Sequence, residues 1–316
     1  MALPLSVRLR VWARIALARL LTAVPMRVAV AVRDRNAASG HRFWKSLAGI
    51  LRHRPLSPLT EFPLPDNREV RLAAARSRLV QLLFWYGEGG YEGAETHWWR
   101  VLCGRATRIL EVGANIGYYT VQGARAAPGV PYTAVEANPE SAEIVGRNVE
   151  LNGLAGVTVV QAAVVGDGAP ATMELALPDQ ERYAAPTGAY LATGTEGIAG
   201  RPASAAVTVP TVAMSALVEG VDLVKLDIEG YEANVLESVR PWLLEARPTI
   251  VVEVLKEAHR LRRILRELRD AGYTVHAIGE RGLHPITDEE LDADAPLPRY
   301  GSRDVILLPP GREPLG

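Results

Sequence analysis

From residue 108 onward the chain alternates short apolar runs with longer amphipathic ones. Runs of strand character lie at 108–112, 132–136, 157–160, 223–227, 249–254 and 273–277. Segments with apolar residues at helical spacing lie at 117–127, 139–152, 231–239 and 256–271. Strands alternating with helices in this way predict an α/β fold, a mostly parallel sheet with helices on both faces. A last run, "SRDVILLPP", follows a long loop and fits an edge strand. Upstream, "LSPLTEFPLPDNREVRLA" sets a Pro-Asp-Asn turn between apolar runs and predicts a hairpin, and 77–86 and 93–103 read as helices. Two segments break the rhythm: 177–206, dominated by Gly, Ala, Pro, Ser and Thr, and 282–300, acidic and proline-bearing. Loops of this length in a compact domain serve as lids or binding loops, or lack fixed structure.

Composition changes the picture at the N-terminus. The net charge of −1 conceals a division: residues 1–54 carry 11 Lys+Arg and one acid, Asp34, and the remainder carries 24 basic and 35 acidic residues. The start, "MALPLSVRLRVWARIALARLLTAV", is apolar but broken by Arg8, Arg10, Arg14 and Arg19, so it matches neither a signal-peptide core nor a spanning helix. It reads as a basic helix whose apolar face needs cover, from the main domain, from a second copy in a homo-oligomer, or from a membrane surface. Its excess of Leu and Val argues against a nucleic-acid-binding arm. The expected organisation is a basic helical extension over 1–57, a hairpin and helices over 58–104, and the α/β domain over 105–310. Cys103 is the sole cysteine, which excludes intrachain disulfides and fits the cytoplasm, with peripheral membrane contact as an added property.

Candidate chemistry gathers at strand ends, where open α/β sheets bind ligands. In "RILEVGANIGYYT" the strand delivers Glu111, Gly113 allows close backbone approach, and Gly117 opens the next helix. The spacing Gly113-x-x-x-Gly117, with Ala114 and Asn115 between, departs from the dinucleotide fingerprint, and Glu111 would repel a pyrophosphate. This opposes a nucleotide-dependent oxidoreductase and favours a ligand with a cationic amine. The next strand ends in Glu136 and Ala137, where an acid accepts hydrogen bonds from ribose hydroxyls. The third leads to Ala162 and Ala163, small enough to admit a flat adenine. Amine, ribose and adenine together point to S-adenosylmethionine.

The fourth strand, "VDLVKLDIEGYEANVLES", ends in Lys225, Asp227 and Glu229. With "EVGANIGYYT", "VEANPE", "LNGL" and "QAAV", it closely resembles the FkbM family of S-adenosylmethionine-dependent methyltransferases, over roughly residues 90–277. The resemblance implies a class I methyltransferase fold, with seven strands of which the last is antiparallel. It also implies methyl transfer, usually to a hydroxyl of a sugar, polyketide or other specialised metabolite; N-methylation on the same scaffold is the alternative. Glu111 stands where many family members carry Asp. The cofactor residues are then Glu111, Gly113, Ala114, Asn115, Gly117, Glu136, Ala137, Ala163 and Asp227. An alcohol must lose its proton as the new bond forms, and the candidate bases are Asp227, Glu229 and, in "IVVEVL", Glu253, with His97 and His259 as further options. Lys225 would neutralise the carboxylates. No motif demands a metal, and none is expected. Glu92, ahead of the first strand, is expected to close over cofactor or acceptor, and Trp98 and Trp99 to pack in the core.

Overall fold

The computed structural model describes residues 21, 23–178, 185, 187–198, 201–280, 282–292 and 301–312, so the expected helix over the first twenty residues lies outside the described residues. The chain divides into two units, Met1–Tyr91 and Glu92–Gly316. In the first, helices α1 (Met26–Ser39) and α2 (Arg42–Leu51) precede a hairpin of β1 (Glu61–Pro63) and β2 (Arg71–Ala73), then α3 (Arg78–Tyr86). The hairpin is antiparallel, with Phe62 opposite Leu72, and both are buried. Phe62 meets Phe84 of α3 edge-on at 5.2 Å, and the buried Arg33 guanidinium lies 4.7 Å from the centre of the Phe84 ring. Among the described residues no helix is long and apolar enough to cross a membrane.

The second unit holds helix α4 (Gly93–Cys103) and the main sheet, which starts with β3 (Ile109–Val112), α5 (Tyr118–Ala126), β4 (Tyr132–Glu136), α6 (Pro139–Leu151) and β5 (Val157–Gln161). After a smaller sheet it resumes with β10 (Leu223–Leu226), α7 (Glu232–Ser238), α8 (Arg240–Ala246), β11 (Thr249–Glu253), α9 (His259–Asp270), β12 (Thr274–Gly279), β13 (Gly282–Pro285), α10 (Asp288–Asp292) and β14 (Gly301–Leu308). The strand order is β13-β12-β14-β11-β10-β3-β4-β5. The strands from β11 through β10, β3 and β4 to β5 pair in parallel, and β14 runs antiparallel to both neighbours. The chain winds outward from β3 to β5 and then crosses to β10 on the other side, creating a switch point between β3 and β10. This is the class I methyltransferase topology. Every residue of β3, β10 and β11 is buried, as expected of central parallel strands covered on both faces. Helix α9 shows the complementary pattern: Leu261, Ile264, Leu265 and Leu268 form one buried stripe.

Two strand expectations change. Among the described residues an eighth strand joins the expected seven, because Gly282–Pro285, expected to be loop, pairs antiparallel with β12. The "SRDVILL" run is not at an edge: β14 sits between β11 and β12, and residues 304–308 are buried throughout, Asp304 included. The other segment expected as loop carries part of a second sheet. There β6 (Ala163–Val165), β9 (Ala205–Ala213), β7 (Thr172–Leu177) and β8 (Tyr190–Leu191) lie side by side in that order.

Glycine sets the closeness of one helix pair. A Cβ on Gly123 of α5 would stand 2.7 Å from Trp99 Nε1, 2.8 Å from Cys103 Sγ and 3.0 Å from the Tyr132 ring. Gly146 on α6 has nothing within 4 Å of the same position. Alanine favours helix over glycine by about 1 kcal/mol, and overpacking a core costs about 1–3 kcal/mol. Gly123→Ala should therefore destabilise by up to about 2 kcal/mol, and Gly146→Ala should stabilise by up to about 1 kcal/mol. Urea unfolding of the two variants measures both signs.

Candidate active site

The loop leaving β3 needs its glycines for contact. Gly113, at φ 87°, lies so near the start of the loop after β10 that a Cβ would sit 1.9 Å from the Asp227 carbonyl oxygen. The Gly113 and Ala114 N–H groups both donate to Val135 O (2.9 and 3.1 Å), and Asp227 N–H donates to Val112 O at 3.0 Å. Asn115 and Gly117 also take positive φ, 52° and 75°, and a Cβ on Gly117 would be 3.1 Å from Val145 of α6.

Glu136, 8% exposed, uses both carboxylate oxygens on backbone amides: Asn115 N–H donates to Oε2 (2.7 Å) and Asn138 N–H to Oε1 (2.8 Å). It ties the loop after β3 to the loop after β4. Burial pushes its pKa up to about 7 against the opposing pull of those two amides. A carboxylate has about four acceptor positions, so two remain for a ligand. The side chains of Asn115 and Asn138, on either side of it, each hold a buried polar atom without a hydrogen-bond partner. An acid with spare acceptor capacity between two unsatisfied amides suits a polyhydroxylated ligand. Ala137 follows Glu136 and lends its carbonyl to Gln161, and Ala163 is buried at the start of β6.

Glu111 is placed differently from the role read in the sequence. It is 1% exposed, and its Oε2 accepts from the Thr120 and Tyr132 hydroxyls, each at 2.6 Å, binding β3 to α5 and β4. Burial raises its pKa to about 7. Glu232 repeats the Glu136 device at the end of β10, with Oε1 accepting from Ile228 N–H (2.9 Å) and Gly230 N–H (3.2 Å). Its pKa too is pushed to about 7 by burial.

Lys225 organises the other half of the site. Its Nζ, on a side chain 2% exposed, lies 2.6 Å from Asp304, 3.0 Å from Glu95 and 3.4 Å from Asp227, and 4.8 Å from the centre of the Tyr119 ring. Burial pulls Lys225 down, but the three acids hold it well above its ordinary value. Ser302 Oγ donates to Glu95 (2.7 Å), and Tyr119 OH to Glu92 (3.0 Å). Burial pushes Glu92 up to about 7, with Glu95 and Asp227 adding to the effect. Glu95 and Asp304 were not read from the sequence as site residues. The available signals were a glutamate on the apolar face of α4, three and four residues before Trp98 and Trp99, and an acid inside a strand otherwise made for burial. Both tryptophans are core residues, as expected.

Past Lys225 the structure brings the three expected carboxylates together: one oxygen of each of Asp227, Glu229 and Glu253 lies within 4.8 Å of the others. Among the described residues this trio is a group able to hold a metal ion. Each member already has a cation: Lys225 on Asp227 (3.4 Å), Arg201 on Glu229 (2.6 Å) and Arg303 on Glu253 (3.5 Å). Asp227 is the most open, with 29% of its side chain exposed against 19% and 8% for the two glutamates. Burial raises Glu253 well above its ordinary value, with Asp227, Glu229 and Glu232 adding repulsion and Arg303 opposing. Glu229 is raised by burial and by Asp227, and Arg201 opposes. His97 and His259 are both exposed and stand outside the trio.

The segment 188–201 is stitched to the same strand end. Glu196 N–H donates to Gly230 O at 2.7 Å, Asn234 reaches Gly194 O, and Arg201 holds Glu229.

The profile of a family described as the Methyltransferase FkbM domain matches residues 111–275. Among solved structures, the chain is similar to Methyltransferase FkbM from Methylobacillus flagellatus KT, with 12% identity over 72% of this chain and 54% of that one, at a TM-score of 0.40. It is similar to the O-methyltransferase from Bacillus cereus in complex with SAH (15% identity, 68% and 80% covered, TM-score 0.37). It is also similar to the O-methyltransferase TomG from Streptomyces achromogenes, involved in tomaymycin synthesis and in complex with SAM (16%, 69% and 80%, 0.36). No curated protein matches it. The family match spans more than half of the 316 residues, from Glu111 in β3 to the second residue of β12, and the chain belongs to the FkbM methyltransferase family.

Proposed function

We propose that this methyltransferase moves a methyl group from S-adenosylmethionine to a hydroxyl oxygen of a small metabolite, such as a sugar or polyketide, with Asp227 taking the acceptor's proton. The observation that carries the oxygen assignment is the trio of carboxylates within 4.8 Å at the ends of β10 and β11. An alcohol needs a proton acceptor at the moment it attacks, and a positioned carboxylate is suited to that task. Asp227 is the member most open to a ligand, and Lys225 fixes its orientation from beneath. Burial disfavours the ionised form of Glu253, and Glu229 neutralises Arg201 on the acceptor side.

When bound, the cofactor supplies a methyl carbon on a positively charged sulfur. Its ribose would rest on the free acceptor positions of Glu136, its backbone-contacting part against Gly113, Ala114, Asn115 and Gly117, and its adenine beside Ala137 and Ala163. Glu111 supports this cradle from inside the core and adds negative potential beneath it. Fixing acceptor and methyl in line accounts for up to about 7–11 kcal/mol of barrier lowering in well-oriented systems. The protein's contribution is thus positioning and one proton transfer.

Glu136→Ala should weaken S-adenosylmethionine binding by about 1–3 kcal/mol, read by calorimetry, through loss of charge-assisted hydrogen bonds. An unchanged affinity, or NADH binding in place of S-adenosylmethionine, would overturn the cofactor reading. The pH dependence has a definite sign. Free Glu136 is half-protonated near pH 7, and the ligand's hydroxyls need the ionised form. Affinity should therefore rise as pH increases through about 7 and level off above it, at up to roughly tenfold per pH unit on the acid side.

Asp227→Asn preserves size and removes the base. Turnover should fall by about 10²–10⁴ while cofactor affinity changes far less. Glu253→Gln keeps the size, removes a charge that burial already disfavours, and should keep most activity at neutral pH. Equal losses in both variants, with intact folding, would move the base away from Asp227.

A further inference from the structure

The methyl-transfer site leaves one feature of the first unit unexplained. The apolar face of helix α2 is wider than its packing covers. Trp44, Ala48 and Leu51 form the inward part of it: Ala48 and Leu51 are buried, and the Arg35 guanidinium of α1 stacks 5.0 Å from the Trp44 ring centre. Phe43, Leu47 and Ile50 form the adjacent row at i, i+4, i+7, with Phe43 59% and Ile50 55% exposed and the Phe43 ring edge-on to Trp44 at 5.0 Å. Phe43 and Ile50 are among the most exposed large hydrophobic side chains of the described residues, and they lie on the same uncovered edge of the helix.

The surroundings of this stripe are cationic. Arg27, Arg35, Arg42, Lys45 and Arg52 are all exposed, and the one acid of residues 1–54, Asp34, is ion-paired with Arg33 and Arg68 at 2.8 Å each. Exposed aromatic and aliphatic residues within a field of arginines and lysine match the requirements of a helix lying in the headgroup region of an anionic bilayer. There the apolar side chains reach the acyl boundary and the cations meet lipid phosphates. A second copy of the chain is disfavoured as occupant, because it would bring two sets of the exposed cations Arg27, Arg35, Arg42, Lys45 and Arg52 together. We infer that the outward face of α2, centred on Phe43 and Ile50, docks the protein onto an anionic membrane surface.

The test uses the full chain with sedimenting vesicles of phosphatidylserine mixed with phosphatidylcholine, and of phosphatidylcholine alone. Binding is expected only to the mixed vesicles, weakening as salt shortens the reach of the charges. The double variant Phe43→Ser/Ile50→Ser changes exposed side chains only. It should keep its melting temperature and S-adenosylmethionine binding but lose vesicle binding by roughly tenfold or more. Arg42→Gln/Lys45→Gln should weaken binding and flatten its salt dependence. Failure to bind mixed vesicles, or binding that the Ser variants leave intact, overturns the proposal. If the wild-type chain instead elutes as a dimer that the Ser variants convert to monomer, the face belongs to a second copy. Capture of an acidic protein with no vesicle binding would assign it to a protein partner.

Discussion

An ammonium group cannot remain charged in a protein interior unless enough negative charge converges on it. Lys225, on a central strand, meets that condition by drawing in Asp304 from β14, Glu95 from α4 and Asp227 from its own strand end. The arrangement of the second unit follows from this demand. Helix α4 must lie where Glu95 reaches the sheet, and β14 must insert between β11 and β12 for Asp304 to arrive. The two buried acids differ in ionisation: Lys225 keeps Glu95 below the ordinary range against burial, whereas burial and the neighbouring Glu95 drive Asp304 well above it. Lys225 thus favours the ionised form of Glu95 over that of Asp304, and the half-buried Asp227 carries the remaining link to the cleft.

The two halves of the site solve different physical problems. Around β3 and β4 the task is to hold a loop open, and a carboxylate does so by accepting backbone N–H groups. Glu136 fixes the glycine-bearing loop, and Glu232 fixes the turn after β10 in the same way. Around β10 and β11 the task is to keep three acids close together, and three cations from separate segments make that tolerable. Burial raises Glu111, Glu136 and Glu232 to about 7 and raises Glu253 as well, so the site contains carboxylates whose charge depends on what approaches them.

Local patterns made much of this legible in the sequence. The run "RILEVGANIG" shows a buried strand, an acid and the glycines of the following loop, because each of those signals lies within a few residues. The helices over 117–127 and 139–152 and the acids at 136, 227 and 253 were visible for the same reason. What escaped depends on contacts between distant segments. Asp304 looked like an ordinary residue of a strand, and its partner Lys225 lies 79 residues away. Glu95 is one acid in an apolar helix, and its meaning appears only once α4 meets the sheet. The parallel pairing of 163–165 with 211–213, and the β12–β13 hairpin, lacked a strong periodic signal because the runs are short and rich in Gly, Ala and Pro. Glu111 was visible, but the Thr120 and Tyr132 hydroxyls that occupy its Oε2 come from neighbouring elements and could not be read beside it.

The attachment of segment 188–201 limits what could take its place. Its described contacts with the catalytic strand ends fall on Glu229, Gly230 and Asn234, and a Cβ on Gly230 would lie 2.2 Å from the Glu196 carbonyl oxygen. The loops after β3 and β4 are held together separately, by Glu136. Gly230 is the tightest of the three attachment points, since any side chain there would collide with the Glu196 carbonyl. A different segment in the place of 188–201 would have to bring one carbonyl equally close to Gly230, and could do so without disturbing the loops that Glu136 ties.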